Sequence, residues 1–293
     1  MKTTIALAVV GSALVAAMLV AERRHDTAPV SAAPVVNFVA GAERDVSRAP
    51  MAMTRMTDQD EIRLGNAVAA RVRVDDESPS GVYISRVGST LASRAHRRLP
   101  FTFHYVPRAN FVNAYALPGG HVFVGEGLLR LMHTEDELAG VIGHEIEHVD
   151  HFHCAERMQT EAALRGLPLA GLVALPVEIF EAGYGKDQEL EADREGVRLS
   201  AATGYAPDAV IGLFEAMEAS RSRQVGASSR RETPADEIGR LAIDAIERYF
   251  QSHPPTAERV AEIRRVIAEE RLGSGKAARP LRLPVPPDGP PTS

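Results

Sequence analysis

The chain has 293 residues, of which 45% are apolar, 25% charged and 5% aromatic, which excludes a disordered, collagen-like or polytopic membrane protein. Its 33 lysine and arginine residues against 39 acidic residues give a net charge of −6, so no nucleic acid is expected as a partner. A single cysteine, Cys154, excludes an intrachain disulfide and an all-cysteine metal site, so any metal would rely mainly on histidine and carboxylate.

The chain begins with an apolar segment of the kind that directs export. Residues 3–21 are uncharged and mostly alanine, valine and leucine. This length only just suffices to span a bilayer, and the segment ends on a poor cleavage site. Residues 1–21 are therefore either a cleaved signal peptide or a membrane anchor, and the sequence does not favour one over the other. In either case we expect an exported protein, with the membrane as a partner if the segment is not cleaved.

Two stretches without helical or strand periodicity flank the rest of the chain. Residues 22–56 are rich in alanine, proline, valine and serine, which predicts a flexible linker. Residues 273–293 contain six prolines, which predicts a disordered tail. The folded unit is therefore expected over residues 57–272, which is long enough to bury a core without disulfides.

Within this unit the periodicity predicts many helices and a small strand region. A helix opens at 57, a second covers 81–97, residues 101–106 and 121–124 form strands, and a turn lies at 116–120. Further helical patterns cover 126–132, 134–158, 187–203, 207–220, 236–251 and 256–271. An apolar stretch at 166–177 is too short to span a membrane, and 221–231 is expected to be a basic loop. The fold class predicted is therefore α+β and mostly helical.

The helix predicted over 134–158 opens with a capping box and carries the sequence HEIEH at 144–148. His144 and His148 lie one turn apart and can direct two imidazoles to one ion. Glu145 lies beside them, where it can address a metal-bound water. This spacing is the one that zinc-dependent hydrolysis requires. Two solvated histidines are the alternative interpretation.

A catalytic zinc also needs a third protein ligand and an open fourth position. Glu189 and Asp193 lie one turn apart on the pattern 187–203, so that one could bind the metal while the other accepts the free N–H of a zinc-bound histidine. If the helix at 134–158 is continuous, Cys154 lies roughly 15 Å from His144 along its axis and is a packing residue. For His151 and His153 a solvated or partly buried role is favoured over zinc ligation, and for His104 a core or surface role.

HEIEH, the later E-x-x-A-D at 189–193 and the segment NAYALPGG at 113–120 resemble the gluzincin peptidases that include the CAAX prenyl endopeptidases, HtpX and bacterial periplasmic quality-control proteases. The resemblance covers about residues 57–268. It implies a zincin-like single catalytic domain with a small sheet bordering the cleft, and location in the bacterial periplasm or cell envelope. It also implies one Zn²⁺ per chain, held by His144, His148 and Glu189, with Glu145 as general base.

A further similarity lies in SHPPTAER at 252–259, which matches the family's late His-Pro…Arg element. Its histidine and arginine face the zinc site in the family, which makes His253 and Arg259 catalytic candidates. The two prolines break the chain between helical patterns and place His253 on a rigid corner, with Arg259 one turn further on. Such groups could stabilise the tetrahedral oxyanion, or His253 could occupy the open position of zinc as a latency switch. The alternative interpretation is that His253 lies on a turn at the protein surface and has no catalytic role.

The function expected is zinc-dependent cleavage of peptide bonds in unfolded or extended polypeptides, including misfolded envelope proteins. If the strand after the Pro-Gly-Gly turn is an exposed edge, it would hold a substrate by backbone hydrogen bonds. The substrate-binding candidates are Asn113, His121, Val122, Phe123 and Val124. The alternatives are a non-catalytic zinc-containing binding or chaperone-like protein, and a hydrolase of the thermolysin type.

Overall fold

The computed structural model describes residues 56–166, 171, 175–181, 183–225, 249, 253, 257–273 and 279–282, with side chains described to residue 219 of the fourth range. The predicted export segment 1–21 and the linker up to residue 55 lie outside these residues. So do most of the predicted helix 236–251 and most of the apolar stretch 166–177. Within the described residues no helix is both long enough and apolar enough to cross a membrane.

The described part of the chain is mostly helical, with one small sheet, as predicted. The helices are α1 (Asp58–Ala69), α2 (Pro79–Ala92), α3 (Glu126–Leu129), α4 (Glu135–Asp150), α5 (His153–Leu164), α6 (Glu178–Glu181), α7 (Lys186–Ala202), α8 (Ala209–Val225) and α9 (Ala257–Glu269); the strands are β1 (Thr102–Val106), β2 (Ala114–Leu117) and β3 (His121–Gly125). The α+β class is therefore confirmed.

The sheet has the strand order β1-β3-β2, with β1 parallel and β2 antiparallel to β3. Gly119 and Gly120, with φ of 83° and 99°, form the turn that returns the chain from β2 to β3. The strand predicted as a possible exposed edge is therefore the central one. The local sequence could not show this, because its parallel neighbour β1 is joined to it only through β2 and the loops around it.

The helix that carries HEIEH is shorter than predicted. The capping box between Thr134 and Glu137 is present, but α4 ends at Asp150. Phe152 then adopts a left-handed conformation with φ of 63°, and α5 begins at His153. The prediction of one helix over 134–158 is therefore wrong, so the axial distance inferred for Cys154 no longer applies, whereas its predicted packing role agrees with its burial. The reversal at Phe152 returns Cys154 to the core, where its thiol lies 3.5 Å from the carbonyl oxygen of Ala116.

Part of the predicted disordered tail lies against the start of α4. The backbone N–H of Glu135 donates to the carbonyl oxygen of Arg279 at 2.9 Å, and Thr134 forms an antiparallel bridge with Pro280. The buried carboxylate of Asp136 accepts from the backbone N–H of Arg279 at 2.7 Å. A buried carboxylate needs such donors, which explains why residues 279–282 are held there.

Helices α4 and α7 pack closely, and a glycine makes this approach possible. A Cβ atom added to Gly196 on α7 would lie 2.9 Å from the backbone nitrogen of His144 and 3.1 Å from its Cα. Any larger residue would therefore separate the two helices. These are the helices that carry HEIEH and the Glu189–Asp193 pair.

We expect Gly196→Ala to lower the free energy of unfolding by about 1–3 kcal/mol, because its methyl group has no space between α4 and α7. The matched control is Gly212→Ala on α8, where a Cβ would meet only the Glu137 Oε1 atom at 4.0 Å. That change should be neutral, or stabilising by up to about 1 kcal/mol. Urea unfolding followed by circular dichroism measures both, and equal effects would contradict the close approach.

Candidate metal centre

Two histidines of α4 direct ring nitrogens to one point. The Nε2 atoms of His144 and His148 lie 3.0 Å apart, and the two side chains are buried. The helix places them one turn apart on the face that meets α7. The arrangement predicted for the HEIEH histidines is therefore present.

Glu189 reaches the same point from α7. Its Oε2 lies 3.5 Å from His144 Nε2, and its Oε1 lies 3.5 Å from His148 Nε2. The Oε1 atom is buried and makes no hydrogen bond within the described structure. A buried carboxylate oxygen without a donor is costly, so its position between two imidazoles fits a cation at the centre of the three groups. The donor set of two nitrogens and one oxygen is one that zinc accepts.

His253 adds a fourth donor, a third ring nitrogen, to this group. Its Nδ1 lies 3.3 Å from Glu189 Oε2, and its Nε2 lies 3.6 Å from Glu145 Oε1. One donor atom from each of His144, His148, Glu189 and His253 lies within 4.8 Å of the others, and these four residues form the metal group. The prediction that His253 faces the metal group thus agrees with its position, and a surface corner does not, because His253 is 1% exposed.

Asp193 and Arg259 form a buried ion pair behind the metal group. Asp193 Oδ1 lies 3.0 Å from His144 Nδ1, which is the contact expected of a carboxylate that orients a ligand histidine. Arg259 donates to both oxygens of Asp193, from Nε at 2.6 Å and from Nη2 at 2.7 Å. Its Nη1 lies 2.9 Å from Glu189 Oε2. The guanidinium therefore contacts two carboxylates, and its expected role at the oxyanion stays a prediction.

The charges around His144 favour a cation. Burial alone would lower the pKa of His144, but the contacts with Asp193 and Glu189 outweigh burial and raise it to about 10. Burial likewise opposes ionisation of Glu189, yet the charges of His253 and Arg259 hold its pKa well below the usual range. Arg259 and His144 likewise outweigh burial and lower the pKa of Asp193, so both carboxylates favour the ionised form and create the negative potential that attracts a divalent ion.

Glu145 lies beside the four donors. Its side chain is 1% exposed, and its Oε2 atom has no hydrogen-bond partner among the described residues. Burial raises the pKa of Glu145, although the charges of His253 and His144 oppose this. A carboxylate whose ionised form is not stabilised by donors is a stronger base than one held by hydrogen bonds.

Sequence reasoning missed the support of His148. His153 Nδ1 lies 2.9 Å from His148 Nδ1, and its Nε2 lies 3.2 Å from Glu191. Tyr184 stacks on the His148 ring with centroids 3.9 Å apart. Only the chain reversal at Phe152 brings His153 to this place, and no sequence pattern announced that reversal.

The substrate-binding candidates divide into two groups. Asn113 directly precedes the edge strand β2, and its side-chain Oδ1 accepts from the Ala114 backbone N–H at 3.0 Å. The strand from His121 to Val124 is buried between β1 and β2, so its backbone cannot pair with a substrate. The expectation for His121, Val122, Phe123 and Val124 is therefore corrected: the edge next to α4 is β2.

Comparison with known proteins agrees with this geometry. The sequence model of peptidase family M48 matches residues 81–267, which is more than half of the chain. The chain is 32% identical over 164 residues to the "Beta-barrel assembly-enhancing protease" of Yersinia pestis, covering 49% of this chain and 33% of that protein. It is 26% identical over 230 residues to "Metalloprotease YcaL" of Escherichia coli, covering 74% and 77%.

A third relative is "Mitochondrial metalloendopeptidase OMA1" of Schizosaccharomyces pombe, 27% identical over 205 residues, covering 66% of this chain and 55% of that protein. The chain spans about a third of the length of the Yersinia protein. These matches confirm the gluzincin resemblance inferred from HEIEH, E-x-x-A-D and NAYALPGG.

Replacing Arg259 should destabilise the fold strongly. We expect Arg259→Met to lower the free energy of unfolding by about 3–5 kcal/mol, because Asp193 would remain buried without its partner. The control is Arg264→Met on the same helix, whose pair with Glu215 is exposed on both sides. It should change stability by less than about 0.5 kcal/mol. Chemical denaturation of the metal-loaded proteins provides the measurement, and similar losses for the two would refute the buried pair.

Proposed function

The chain belongs to peptidase family M48, and we propose that it is a zinc-dependent endopeptidase in which His144, His148 and Glu189 hold the metal and Glu145 acts as general base. The observation that carries the proposal is the convergence of these buried groups, with the free oxygen of Glu145 beside the donors. Such a base has no purpose in a site that only stabilises the fold.

The residues present fit one Zn²⁺ per chain. Two imidazole nitrogens and a carboxylate oxygen form a common catalytic zinc set, and Asp193 and His153 fix the outer nitrogens of the two histidines. When bound, zinc would polarise the scissile carbonyl and make a water molecule more acidic. The carboxylate of Glu189 would also offset part of the positive charge of the zinc ion.

Glu145 would then move the protons of the reaction. Its free Oε2 takes a proton from the attacking water, whose oxygen forms the new bond to the carbonyl carbon. The same carboxyl group then donates that proton to the leaving amine as the C–N bond breaks. No covalent intermediate with the protein is needed, and the side chain returns to its ionised form.

The edge of β2 is the best place for an extended substrate. It packs against α4, and the Ala114 backbone N–H is paired only by the side chain of Asn113 within the described structure. A substrate carbonyl could replace the Asn113 side chain as the acceptor of the Ala114 N–H. Further along the same edge, the Cys154 thiol covers the carbonyl oxygen of Ala116. Recognition through the backbone requires an unfolded or extended chain and gives weak sequence preference.

His253 would close the site in its resting state. The metal-binding group and Glu145 are all 8% exposed or less, so a polypeptide cannot reach them in this conformation. His253 Nε2 has no hydrogen bond in the described part of the chain and is directed toward Glu145. These observations favour the latency switch over a role in stabilising the oxyanion, since substrate needs the position that His253 takes.

We further propose that the protein acts in the bacterial periplasm or cell envelope on misfolded proteins. The apolar segment 3–21, the family and the name of the Yersinia relative support this location. The segment would tether the enzyme to the membrane if it is not cleaved. Unchanged turnover of envelope proteins in a deletion strain would count against this role.

The competing function is a non-catalytic zinc-binding or chaperone-like protein. The observation that favours it is the fourth protein donor, because closed sites with four protein ligands are structural. Glu145 separates the two functions. A structural site needs only its ligands, whereas hydrolysis also needs the base.

We expect Glu145→Gln to retain zinc and to lower casein cleavage by about 10²–10⁴-fold, because only the proton acceptor is lost. His144→Ala should lose the zinc of the α4 centre as well as activity. The matched control is Glu147→Gln in the same motif; this buried side chain lies near His151 and contributes no donor to the metal group. Metal analysis and proteolysis by the purified full chain test all three, and equal cleavage by wild type, Glu145→Gln and His144→Ala would end the proposal.

We expect His253→Ala to retain the zinc of the α4 centre and to cleave casein faster than wild type. If the open form is about 1% populated, the gain would reach about 100-fold. His96→Ala, whose ring is exposed, serves as the control and should leave the rate unchanged. A lower rate with zinc retained would show that His253 stabilises the transition state instead.

A further inference from the structure

A second group of converging donors lies on the sheet, away from α4. The parallel register places Thr102 of β1 beside His121 of β3, and His104 lies two residues further along β1 on the same face. His104 Nε2 and His121 Nδ1 are 3.0 Å apart, and Thr102 Oγ1 lies 3.2 Å and 2.8 Å from them. The three atoms form a nearly equilateral triangle.

Both rings are fixed from behind by oxygen acceptors. His104 Nδ1 lies 2.7 Å from Asp76 Oδ2, while the other oxygen of Asp76 accepts from the Tyr105 backbone N–H. His121 Nε2 lies 2.7 Å from Asn66 Oδ1. Because these oxygens only accept, the outer ring nitrogens carry the hydrogens. His104 Nε2 and His121 Nδ1 therefore present lone pairs to each other.

Two lone pairs at 3.0 Å repel each other unless a proton or a cation lies between them. The single hydrogen of the Thr102 hydroxyl can satisfy only one ring. A cation that accepts nitrogen ligands resolves the conflict.

We propose that Thr102, His104 and His121 form a second metal site, for a divalent transition-metal cation of the imidazole-binding class such as Zn²⁺. Tetrahedral zinc with bonds of about 2.0–2.1 Å needs donors roughly 3.3 Å apart, close to the observed triangle. Outer carboxylate or carbonyl support is also the usual arrangement for metal-binding histidines. The His104 ring is held in place by stacking on Phe123, with centroids 4.5 Å apart.

The site is open to solvent on the side of Thr102, which is exposed, and closed on the side of His121, which is buried. Water can complete the coordination there. The bound ion would join β1 to β3 and, through Asn66, fix α1 against the sheet. This second site is independent of the proposed catalytic zinc and needs none of its ligands.

The test is the number of zinc ions per chain in the purified full protein, measured by equilibrium dialysis against buffered Zn²⁺. His104→Asn keeps an amide N–H for Asp76 but lacks the nitrogen that faces His121, so it should bind one zinc fewer than wild type. His133→Ala, which removes an exposed histidine elsewhere, should bind the same number as wild type. The readout is a difference, so it stands whether or not the α4 site holds zinc.

A second variant covers the case in which His104→Asn fails to fold. Asn66 is exposed on α1, and Asn66→Ala should leave the number of ions unchanged but raise the zinc concentration at half saturation of this site by about 10–100-fold. Equal zinc binding by wild type and folded His104→Asn would overturn the proposal and show that a hydrogen bond alone joins the rings. An unchanged half-saturation in Asn66→Ala would also overturn it. Loss of zinc in His144→Ala alone reports only on the α4 site.

Discussion

The buried ion pair between Asp193 and Arg259 determines the geometry of the candidate metal centre. It joins α7 to α9 with two hydrogen bonds, and it places the remaining side of Asp193 against His144 on α4. Arg259 also reaches Glu189, so the position of the proposed third ligand depends on the same guanidinium. A charge this deeply buried is tolerated only with full compensation. The three helices therefore have one arrangement in which their charges are satisfied, and it is the arrangement that assembles the metal group.

The second constraint is the chain reversal after α4. Phe152 adopts a left-handed conformation, and Arg97 covers its ring at 3.9 Å from the centroid. A bulky residue rarely adopts this conformation, so the surrounding contacts must hold it there. Its result is that α5 brings His153 against His148 and Cys154 against β2. The strained residue Phe152 thus directly precedes His153, which supports the proposed ligand His148.

Local patterns predicted the parts of the molecule that local physics determines. The capping box, the apolar stripe of α4 and the spacing of HEIEH need only helical periodicity, and they appear as predicted. The central position of β3 depends on its pairing with β1, across a part of the chain that contains β2 and several loops. The pairing of Arg259 with Asp193 joins residues 66 positions apart. Neither can be read from a window of a few residues, and the contact of His153 with His148 could not be predicted because the helix was expected to continue.

The His144–His148 pair and the His104–His121 pair share a ring-nitrogen separation of 3.0 Å but differ in charge. Around His144, two ionised carboxylates raise the pKa to about 10, whereas burial and a neighbouring imidazole lower the pKa of His121 to about 4. The same negative charges that would hold a proton at the first pair would hold a divalent ion more strongly, because its charge is twice as large. At the second pair the carboxylate in contact with a ring is that of Asp76, and it acts through the His104 ring. A cation there would gain less from the surrounding charge, so the centre on α4 should fill first and the site on the sheet should respond to higher metal concentrations.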